Sequence, residues 1–135
     1  MSQANVDLVR RAVKAFNDRD FGVLSAMSNA DLIFTSALAA VDGAGGTYTG
    51  TGAWESYFAD MDEAWESWQV VDLEIFEAPD DRVAAKFRLV GKGRTSGIEV
   101  AHETGIAYEV RDGKFSRLTS YLNADDALKA VGLSD

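Results

Sequence analysis

The feature that most constrains the fold is a hairpin signal in the last quarter of the chain. Two apolar-rich runs, residues 105–111 and 114–122, flank the dipeptide Asp112–Gly113. An Asp-Gly pair between two such runs is typical of a type I′ turn, because both central residues of that turn need a positive φ. The sequence therefore predicts two long antiparallel strands joined by this turn.

A short helix is predicted directly after the hairpin, over residues 125–131. Asn123 is placed to cap its first turn, since its side-chain oxygen can accept a hydrogen bond from a free backbone N–H. Gly132 is placed to end the helix, with Leu133 packing back as in a Schellman motif. The chain is thus predicted to close with a helix that follows the sheet.

The N-terminal half is predicted to be mainly helical. Apolar residues at helical spacing predict a first helix that is capped by Asn5 and runs through Phe16. A second, short helix is predicted from its cap, Asp20, to Met27, and a strand over residues 32–36. A third helix is predicted from large side chains at helical spacing, which are Trp54, Tyr57, Phe58, Met61, Trp65 and Trp68.

Two more strands are predicted between the third helix and the hairpin. In residues 69–76, Val71, Leu73 and Ile75 alternate with polar residues and are expected to share one face. In residues 83–89, apolar residues alternate with basic ones. Acidic and basic side chains would then pair across an outer face if the two strands are neighbours.

Composition limits the class of protein. The 135 residues are enough for one domain with a single core, taken here as residues 1–135. Thirteen basic and 22 acidic residues give a formal net charge of −9, which opposes binding to nucleic acid or to an anionic membrane surface. No cysteine is present, so a disulfide, a thiol nucleophile and a thiolate metal site are excluded. With no signal peptide or membrane-spanning run in the sequence, a cytoplasmic location is expected.

Two further patterns are checked for a phosphate or metal site. The Gly-rich stretch 42–52 lacks the G-x-G-x-x-G spacing, since Tyr48 stands where the third glycine is needed, and a flexible loop is predicted there. His102, the only histidine, cannot belong to an HExxH zinc site because Ile106 takes the place of the second histidine. No metal and no cofactor are predicted.

The order of helices, strand, aromatic helix, alternating sheet and closing helix resembles that of SnoaL-like proteins in the nuclear transport factor 2-like superfamily. The specific likeness lies in short segments at residues 16–20, 29–32, 96–97, 111–115, 121–123 and 127–133. The resemblance covers nearly the whole chain. It implies an α+β fold, a cystatin-like roll, in which a cone-shaped, curved antiparallel β-sheet wraps around the N-terminal helices and a short C-terminal helix follows. Because superfamily members include isomerases, cyclases, dehydratases, hydrolases and non-catalytic domains, it implies fold rather than chemistry.

The resemblance allows the catalytic positions of the family to be compared with this chain. Ketosteroid isomerases carry a tyrosine in the first helix, an aspartate base on the first strand and a protonated aspartate on the penultimate strand. The matching positions here hold Ala12, Thr35 or Ser36, and Ala107. SnoaL-like polyketide cyclases use an aspartate near the end of the last strand. The matching region here contains Ser120, Leu122 and Asn123. The resemblance therefore implies that the standard catalytic residues are missing.

The register of the hairpin divides its two strands into two faces. With Asp112–Gly113 as the turn and strict alternation, Ala107 is opposite Leu118 and Glu103 is opposite Leu122. One face then holds Glu103, Gly105, Ala107, Leu118, Ser120 and Leu122, and the other holds His102, Thr104, Ile106, Tyr108, Arg117, Thr119 and Tyr121. By the resemblance, the first face points into the cone and the second face lies outside.

Core packing is the favoured interpretation for most of the aromatic face of the third helix, and part of that face is predicted to line a ligand pocket inside the cone. The residues expected to line this pocket are Phe16, Phe34, Ser36, Trp54, Tyr57, Phe58, Met61, Phe87, Gly105, Ala107, Leu118 and Ser120. Glu103 is the one carboxylate expected to face this interior. Loss of water there would raise the pKa of Glu103 and make it a candidate catalytic acid or base. The favoured alternative is that Glu103 lies at the rim of the cone in water or pairs with an arginine.

Three functions stay open at this point. The first is binding of a small apolar, ring-type molecule without the standard catalytic set. The second is a proton transfer of the isomerase, cyclase or hydrolase type that uses Glu103. The third is a purely structural dimerisation module with a filled cone. A homodimer is expected through large apolar and charged side chains of the outer sheet face, which are His102, Ile106, Tyr108, Arg117 and Tyr121.

Overall fold

The structure is a computed structural model that describes residues 3–37 and 46–133. These residues include the helices α1 (Gln3–Asn17), α2 (Phe21–Ala26), α3 (Ala53–Ala64) and α4 (Ala124–Ala130). They also include the strands β1 (Ser28–Thr35), β2 (Thr47–Thr49), β3 (Trp65–Ala78), β4 (Arg82–Gly93), β5 (Glu99–Arg111) and β6 (Lys114–Tyr121).

The strands form one curved sheet in the order β2-β1-β6-β5-β4-β3. Neighbouring strands are antiparallel except for β1 and β6, which run parallel. The main core lies on the concave side of the sheet, under α1, α2 and α3. A second, smaller core lies on the convex side, under α4. The predicted α+β fold, with a curved sheet around the N-terminal helices and a short closing helix, is confirmed.

The local signals at the end of the chain are confirmed. Asp112 and Gly113 have φ values of 56° and 76°, as a type I′ turn requires. The side chain of Asn123 accepts a hydrogen bond from the backbone N–H of Asp125 at 2.9 Å and so caps α4. The backbone N–H of Leu133 donates to the carbonyl oxygen of Leu128 at 2.8 Å, which completes the Schellman motif.

The N-terminal predictions are confirmed in outline, with two corrections. Asp20 caps α2 by accepting from the backbone N–H of Val23 at 3.1 Å. Asn5 does not cap the first helix, because α1 already begins at Gln3. In the Gly-rich stretch, residues 42–45 lie outside the described residues, but residues 47–49 form β2 and pair with β1 instead of continuing as a loop.

The third helix is shorter than predicted. It ends at Ala64, and Trp65 has extended backbone angles of φ −124° and ψ 132°. Trp65 and Trp68 therefore belong to β3, where Trp68 pairs with Gly91. Trp68 still packs on the concave side, with its ring centre 4.9 Å from that of Phe16. The aromatic spacing predicted the shared core correctly, because a strand that returns beneath a helix presents its side chains to the same space.

A bulge in β3 changes which of its residues face the core. Asp72 has a φ of 56°, and the pairing of β3 with β4 shifts between Val71 and Glu74. Val70 is consequently buried in the concave core, whereas the prediction placed Val71 on the same face as Leu73. The prediction for Val71 is wrong because one extra residue inverts the alternation on one side of a bulge.

The strand β4 alternates as predicted. Val83, Ala85 and Phe87 are buried in the concave core, and Ala84 lies in the convex one. The basic residues of β4 reach acidic partners on the convex face, as in the ion pair between Arg88 Nη2 and an Asp72 carboxylate oxygen at 3.1 Å.

Candidate functional site

A second bulge, in the hairpin, decides which side chains face the interior of the cone. Next to the turn, Val110 pairs with Phe115, but the following pair is Glu109 with Arg117. Ser116 is thus an extra residue in β6. Beyond it, the register places Tyr108 opposite Leu118, where strict alternation predicts Ala107.

The bulge reverses the predicted faces of β5. Thr104, Ile106 and Tyr108 lie on the concave side, whereas Gly105 and Ala107 lie on the convex side. The prediction that Gly105 and Ala107 line the interior is therefore wrong. Leu118 and Ser120 lie beyond the bulge on β6 and face the concave side as predicted.

The small residues of β5 make room for a helix and not for a ligand. A Cβ atom on Gly105 would lie 2.7 Å from the Cβ of Ala127 and 2.8 Å from the carbonyl oxygen of Ala124. Ala107 belongs to the convex core with Ala84 and the helix-capping Val131. This face is closed by α4.

A cavity lies between the three N-terminal helices and the concave side of the sheet. Its volume, measured as the space available to the centres of water molecules, is about 50 Å³. This volume is enough for roughly three or four waters. Among the described elements, α1, α2, α3 and the strands β1, β3, β4, β5 and β6 contribute to its walls. The lining residues are Ala12, Val13, Phe16, Leu24, Phe34, Ser36, Trp54, Tyr57, Val70, Phe87, Leu89, Thr104, Ile106, Tyr108, Leu118 and Ser120.

Most of the residues predicted for the pocket line this cavity, and four do not. The eight that line it are Phe16, Phe34, Ser36, Trp54, Tyr57, Phe87, Leu118 and Ser120. Gly105 and Ala107 lie on the other face of the sheet, as described above. Phe58 and Met61 are buried within the concave core but do not border the cavity. Whether the eight residues contact a ligand stays a prediction.

The hairpin bulge explains why the sequence analysis did not predict several of the cavity-lining residues. Thr104, Ile106 and Tyr108 were assigned to the outer face, although they line the cavity. One signal for the bulge was present in the sequence. Phe115 and Leu118 are both large and apolar but three residues apart, and both are buried, at 0% and 2% exposure. Two buried residues at an odd spacing in one strand need an extra residue between them.

Aromatic rings form the wall of the cavity next to β1 and α3. The ring of Phe34 lies 5.0 Å from that of Trp54 and 4.8 Å from that of Tyr57, measured between centroids. The indole N–H of Trp54 donates to Ser28 Oγ at 3.0 Å, and Ser28 Oγ donates to the carbonyl oxygen of Leu24 at 2.8 Å. These hydrogen bonds hold the indole in place and satisfy its N–H. The indole therefore contributes only its apolar ring to the wall of the cavity.

The end of α1 is anchored to the sheet, which positions another part of the wall. The Asn17 side chain donates to the carbonyl oxygen of Val70 at 3.0 Å and accepts from its N–H at 2.8 Å. The Arg19 guanidinium lies 3.6 Å from the ring centroid of Trp68. Phe16 is thereby held at the edge of the cavity.

The polar groups in the lining are hydroxyls. Ser120 Oγ accepts from the backbone N–H of Ala37 at 2.8 Å, and the Thr104 hydroxyl donates to the carbonyl oxygen of His102 at 3.4 Å. Tyr108 is 3% exposed, and burial raises the pKa of its phenol above the ordinary value. Among the described lining residues there is no carboxylate, histidine, lysine or arginine. The described part of the cavity lining is thus apolar and uncharged, with a few hydroxyls.

Glu103 does not face this cavity. It is exposed on the convex side, where it pairs in register with Arg88. It borders an open surface groove together with charged residues of β3 and β4, which are Asp72, Glu74, Lys86 and Arg88. The prediction that Glu103 points into an apolar interior is wrong, because the bulge at Ser116 inverts the face of β5. Glu103 was a candidate catalytic acid or base because it was expected to lose water inside the cone, and the exposed side chain does not lose it.

The residues predicted for an outer dimer face do not form one surface. Ile106 and Tyr108 line the cavity, and Tyr121 packs partly buried beside α4. His102 is exposed near the open end of β5, with Nε2 2.8 Å from the carbonyl oxygen of Leu122. Arg117 is exposed and lies 3.8 Å from a Glu109 carboxylate oxygen. A homodimer stays a prediction, but these five residues no longer support it as a continuous patch.

The positions compared with the family's catalytic residues are placed as follows. Ala12 and Ser36 line the cavity, whereas Ala107 faces α4. None of them carries an ionisable group. In the part of the chain that the structure describes, no group of three or more His, Cys, Asp or Glu side chains is arranged to hold a metal ion. Within the same part of the chain, no helix is long and apolar enough to cross a membrane.

Comparison with known proteins agrees with this architecture. The family model described as SnoaL-like domain matches residues 9–118. A search of curated proteins finds no match.

Three solved structures illustrate the fold. An NTF2-like protein of unknown function from Burkholderia pseudomallei is 15% identical and aligns over 96% of this chain and 98% of its own, with a TM-score of 0.80. TerC, co-crystallised with polyporic acid, is 18% identical over 96% and 98% of the two chains, with a TM-score of 0.79. A proposed polyketide cyclase from Xanthomonas campestris is 23% identical over 96% and 98%, with a TM-score of 0.77. At such identities, these structures show a shared fold alone.

Proposed function

Because the chain belongs to the SnoaL-like domain family, we propose that it binds a small, neutral, ring-type molecule in the cavity on the concave side of the sheet. The observation that carries this proposal is the lining itself. It combines aromatic and aliphatic walls with a few hydroxyls and, among the described lining residues, no charged side chain. Small-molecule sites typically have this composition.

The aromatic wall favours flat ring compounds over flexible chains. The rings of Phe34, Trp54 and Tyr57 offer faces and edges against which another ring can pack. TerC, which has the same fold, was co-crystallised with polyporic acid. With about 50 Å³ open to water centres, the cavity must widen through movement of its lining side chains to admit a ring.

Two alternatives receive less support. Proton transfer by Glu103 lacks a basis, because the carboxylate is exposed on the face opposite the cavity. A purely structural module is expected to have a solid core, and the water-sized space beside Phe87 and Leu118 argues against one. Binding is the function that the geometry supports best.

The test is ligand binding by wild-type protein and by a variant whose cavity is filled. Trp54 lines the cavity, so its fluorescence should change when toluene, indane or ethylbenzene binds. Binding should also raise the melting temperature by several degrees at high ligand excess, since a ligand at 100 times its Kd stabilises by about 2.7 kcal/mol. The variant Ala12→Leu adds a larger side chain where Ala12 borders the cavity, and it should lose both responses.

The control variant is Ala4→Leu. It makes the same substitution at an exposed position of the same helix, and it should bind like the wild type. The proposal fails if none of the ring compounds changes the fluorescence or melting temperature of the wild type. It also fails if Ala12→Leu binds them as well as Ala4→Leu does.

A further inference from the structure

One polar group in the cavity is left without a protein partner. Tyr108 lies on the concave face of β5, between Val83 on β4 and Leu118 on β6, which are both apolar and buried. Its ring packs against Phe115 with 5.3 Å between the centroids and also lines the cavity. The phenol group is thus held in a fixed place by apolar neighbours.

No residue in the described part of the chain accepts a hydrogen bond from the Tyr108 hydroxyl or donates one to it. The side chain is 3% exposed, so bulk water does not satisfy this group either. An unsatisfied buried polar group costs about 1–3 kcal/mol, and native proteins keep few of them. Replacing Tyr108 by phenylalanine would remove this cost at little change in shape. The missing partner can come from the cavity that Tyr108 borders, as a water molecule or as a polar atom of a ligand.

The other lining hydroxyls differ from Tyr108 in that they already have partners. Ser120 Oγ accepts from the backbone N–H of Ala37, and Thr104 donates to the carbonyl oxygen of His102. Tyr108 has no such bond, and its raised pKa keeps the phenol protonated and able to donate. Of the described lining side chains, Tyr108 thus offers a neutral donor that no protein group engages.

We propose that Tyr108 is the specificity-determining residue of the cavity and donates a hydrogen bond to an acceptor oxygen, such as a ketone or aldehyde carbonyl, of a neutral ring compound. This inference rests on the proposed function and adds the chemical class of the ligand. An anionic or cationic ring would lose its water without finding a counter-ion among the described lining residues. A plain hydrocarbon ring would leave the hydroxyl unsatisfied.

The experiment compares two ligands of nearly equal shape. Acetophenone carries a carbonyl oxygen, and ethylbenzene does not. Affinities are measured by tryptophan fluorescence and thermal shift for the wild type, for Tyr108→Phe and for the control Tyr121→Phe, which changes a tyrosine on the convex face. The wild type and Tyr121→Phe should prefer acetophenone about fivefold to tenfold, the ratio expected for one hydrogen bond. In Tyr108→Phe the preference should disappear, with ethylbenzene affinity unchanged.

A spectroscopic signature provides the second measurement. The carbonyl stretch of acetophenone should lie at a lower frequency when it is bound to the wild type or to Tyr121→Phe than when it is bound to Tyr108→Phe. Tyr108→Phe should fold and melt at or above the wild-type temperature, because it removes an unpaired buried hydroxyl.

The outcomes separate this inference from the proposed function. If both ligands bind the wild type equally, or if Tyr108→Phe keeps the preference and the lower carbonyl frequency, the role of Tyr108 is overturned while ring binding stands. If benzoate binds as tightly as acetophenone, the neutral class is wrong. If neither acetophenone nor ethylbenzene binds the wild type, the proposed function fails, and the inference fails with it.

Discussion

The concave and convex faces of the sheet bury their apolar side chains in opposite ways. The concave face is built from large groups such as Phe34, Phe87 and Leu118, and it nevertheless encloses a cavity. The convex face beneath α4 is built from small residues such as Gly105 and Ala84, and there the layers approach so closely that a Cβ on Gly105 would clash. Beneath α4, Gly105 and Ala84 therefore mark close contact, whereas the large side chains of the concave face leave open space between them.

The difference has a geometric cause. Three helices and a curved sheet cannot meet at every point on the concave side, so even large side chains leave a gap between them. On the convex side, a single short helix lies flat on the strands, and only glycine and alanine permit that distance. Small residues in a strand therefore do not by themselves predict a pocket, because they also allow a helix to pack closely on that strand.

The largest effect is expected for truncation of a concave-face aromatic residue. Phe87→Ala should lower the free energy of unfolding by about 3–5 kcal/mol, since Phe87 is 5% exposed and its loss enlarges the cavity. The matched control is Phe76→Ala, which removes the same side chain from a half-buried position beside the convex core. Urea unfolding of both variants measures the difference. Equal losses would show that the two faces do not differ in the way described.

A smaller loss is expected when the convex contact is overfilled. Gly105→Ala should destabilise the protein by about 1–3 kcal/mol, because the new methyl group meets Ala127 and the backbone of Ala124. Gly22→Ala is the control, since its Cβ would meet only a flexible side-chain oxygen of Asp20 at 3.6 Å, and alanine suits a helix. Thermal unfolding should separate the two substitutions by sign. A neutral Gly105→Ala would mean that α4 can move away from β5 at no cost.

The smallest effect is expected at an exposed ion pair that belongs to neither core. A hydrogen bond from Arg111 at 2.7 Å lowers the pKa of Asp31 below its ordinary value. Because the folded-state pKa is the lower one, the contribution to stability is present above about pH 4 and is lost as the pH falls through the folded-state value. Asp31→Asn should therefore slightly lower the melting temperature at pH 7 and match the wild type in strong acid.

The measurement for Asp31 is a melting curve at several pH values from 7 down to 2, with wild type and variant side by side. Both side chains are more than half exposed, so salt should reduce the difference further. A difference that persists unchanged at pH 2 would contradict the assignment of the effect to the ionised Asp31–Arg111 pair.

Local signals in the sequence predicted the framework of the molecule. The turn at Asp112–Gly113, the cap at Asn123 and the end at Gly132 depend on the conformations of single residues and on hydrogen bonds to their near neighbours. The same holds for Asp20 at the start of α2. Such preferences act over a few residues, so a short window of sequence contains the information needed to predict them.

The facing of the side chains around the cavity was decided by the tertiary structure. One extra residue at Ser116 and one at Asp72 invert the alternation of a strand. The spacing of Phe115 and Leu118 indicates the extra residue at Ser116 only once both side chains are known to be buried in the same core. Trp65 likewise fits a helical spacing but pairs with Gly93 in the sheet.

The sequence by itself determined most of the elements, their order and the family, because turns, caps and hydrophobic periodicity are local. Only the tertiary structure decided that Tyr108 faces the cavity and Glu103 faces solvent, because a bulge is chosen by the sum of contacts across three strands and α4. The packing of α4 on Gly105 is part of that sum. A long-range balance of this kind has no counterpart in the pattern of any one segment.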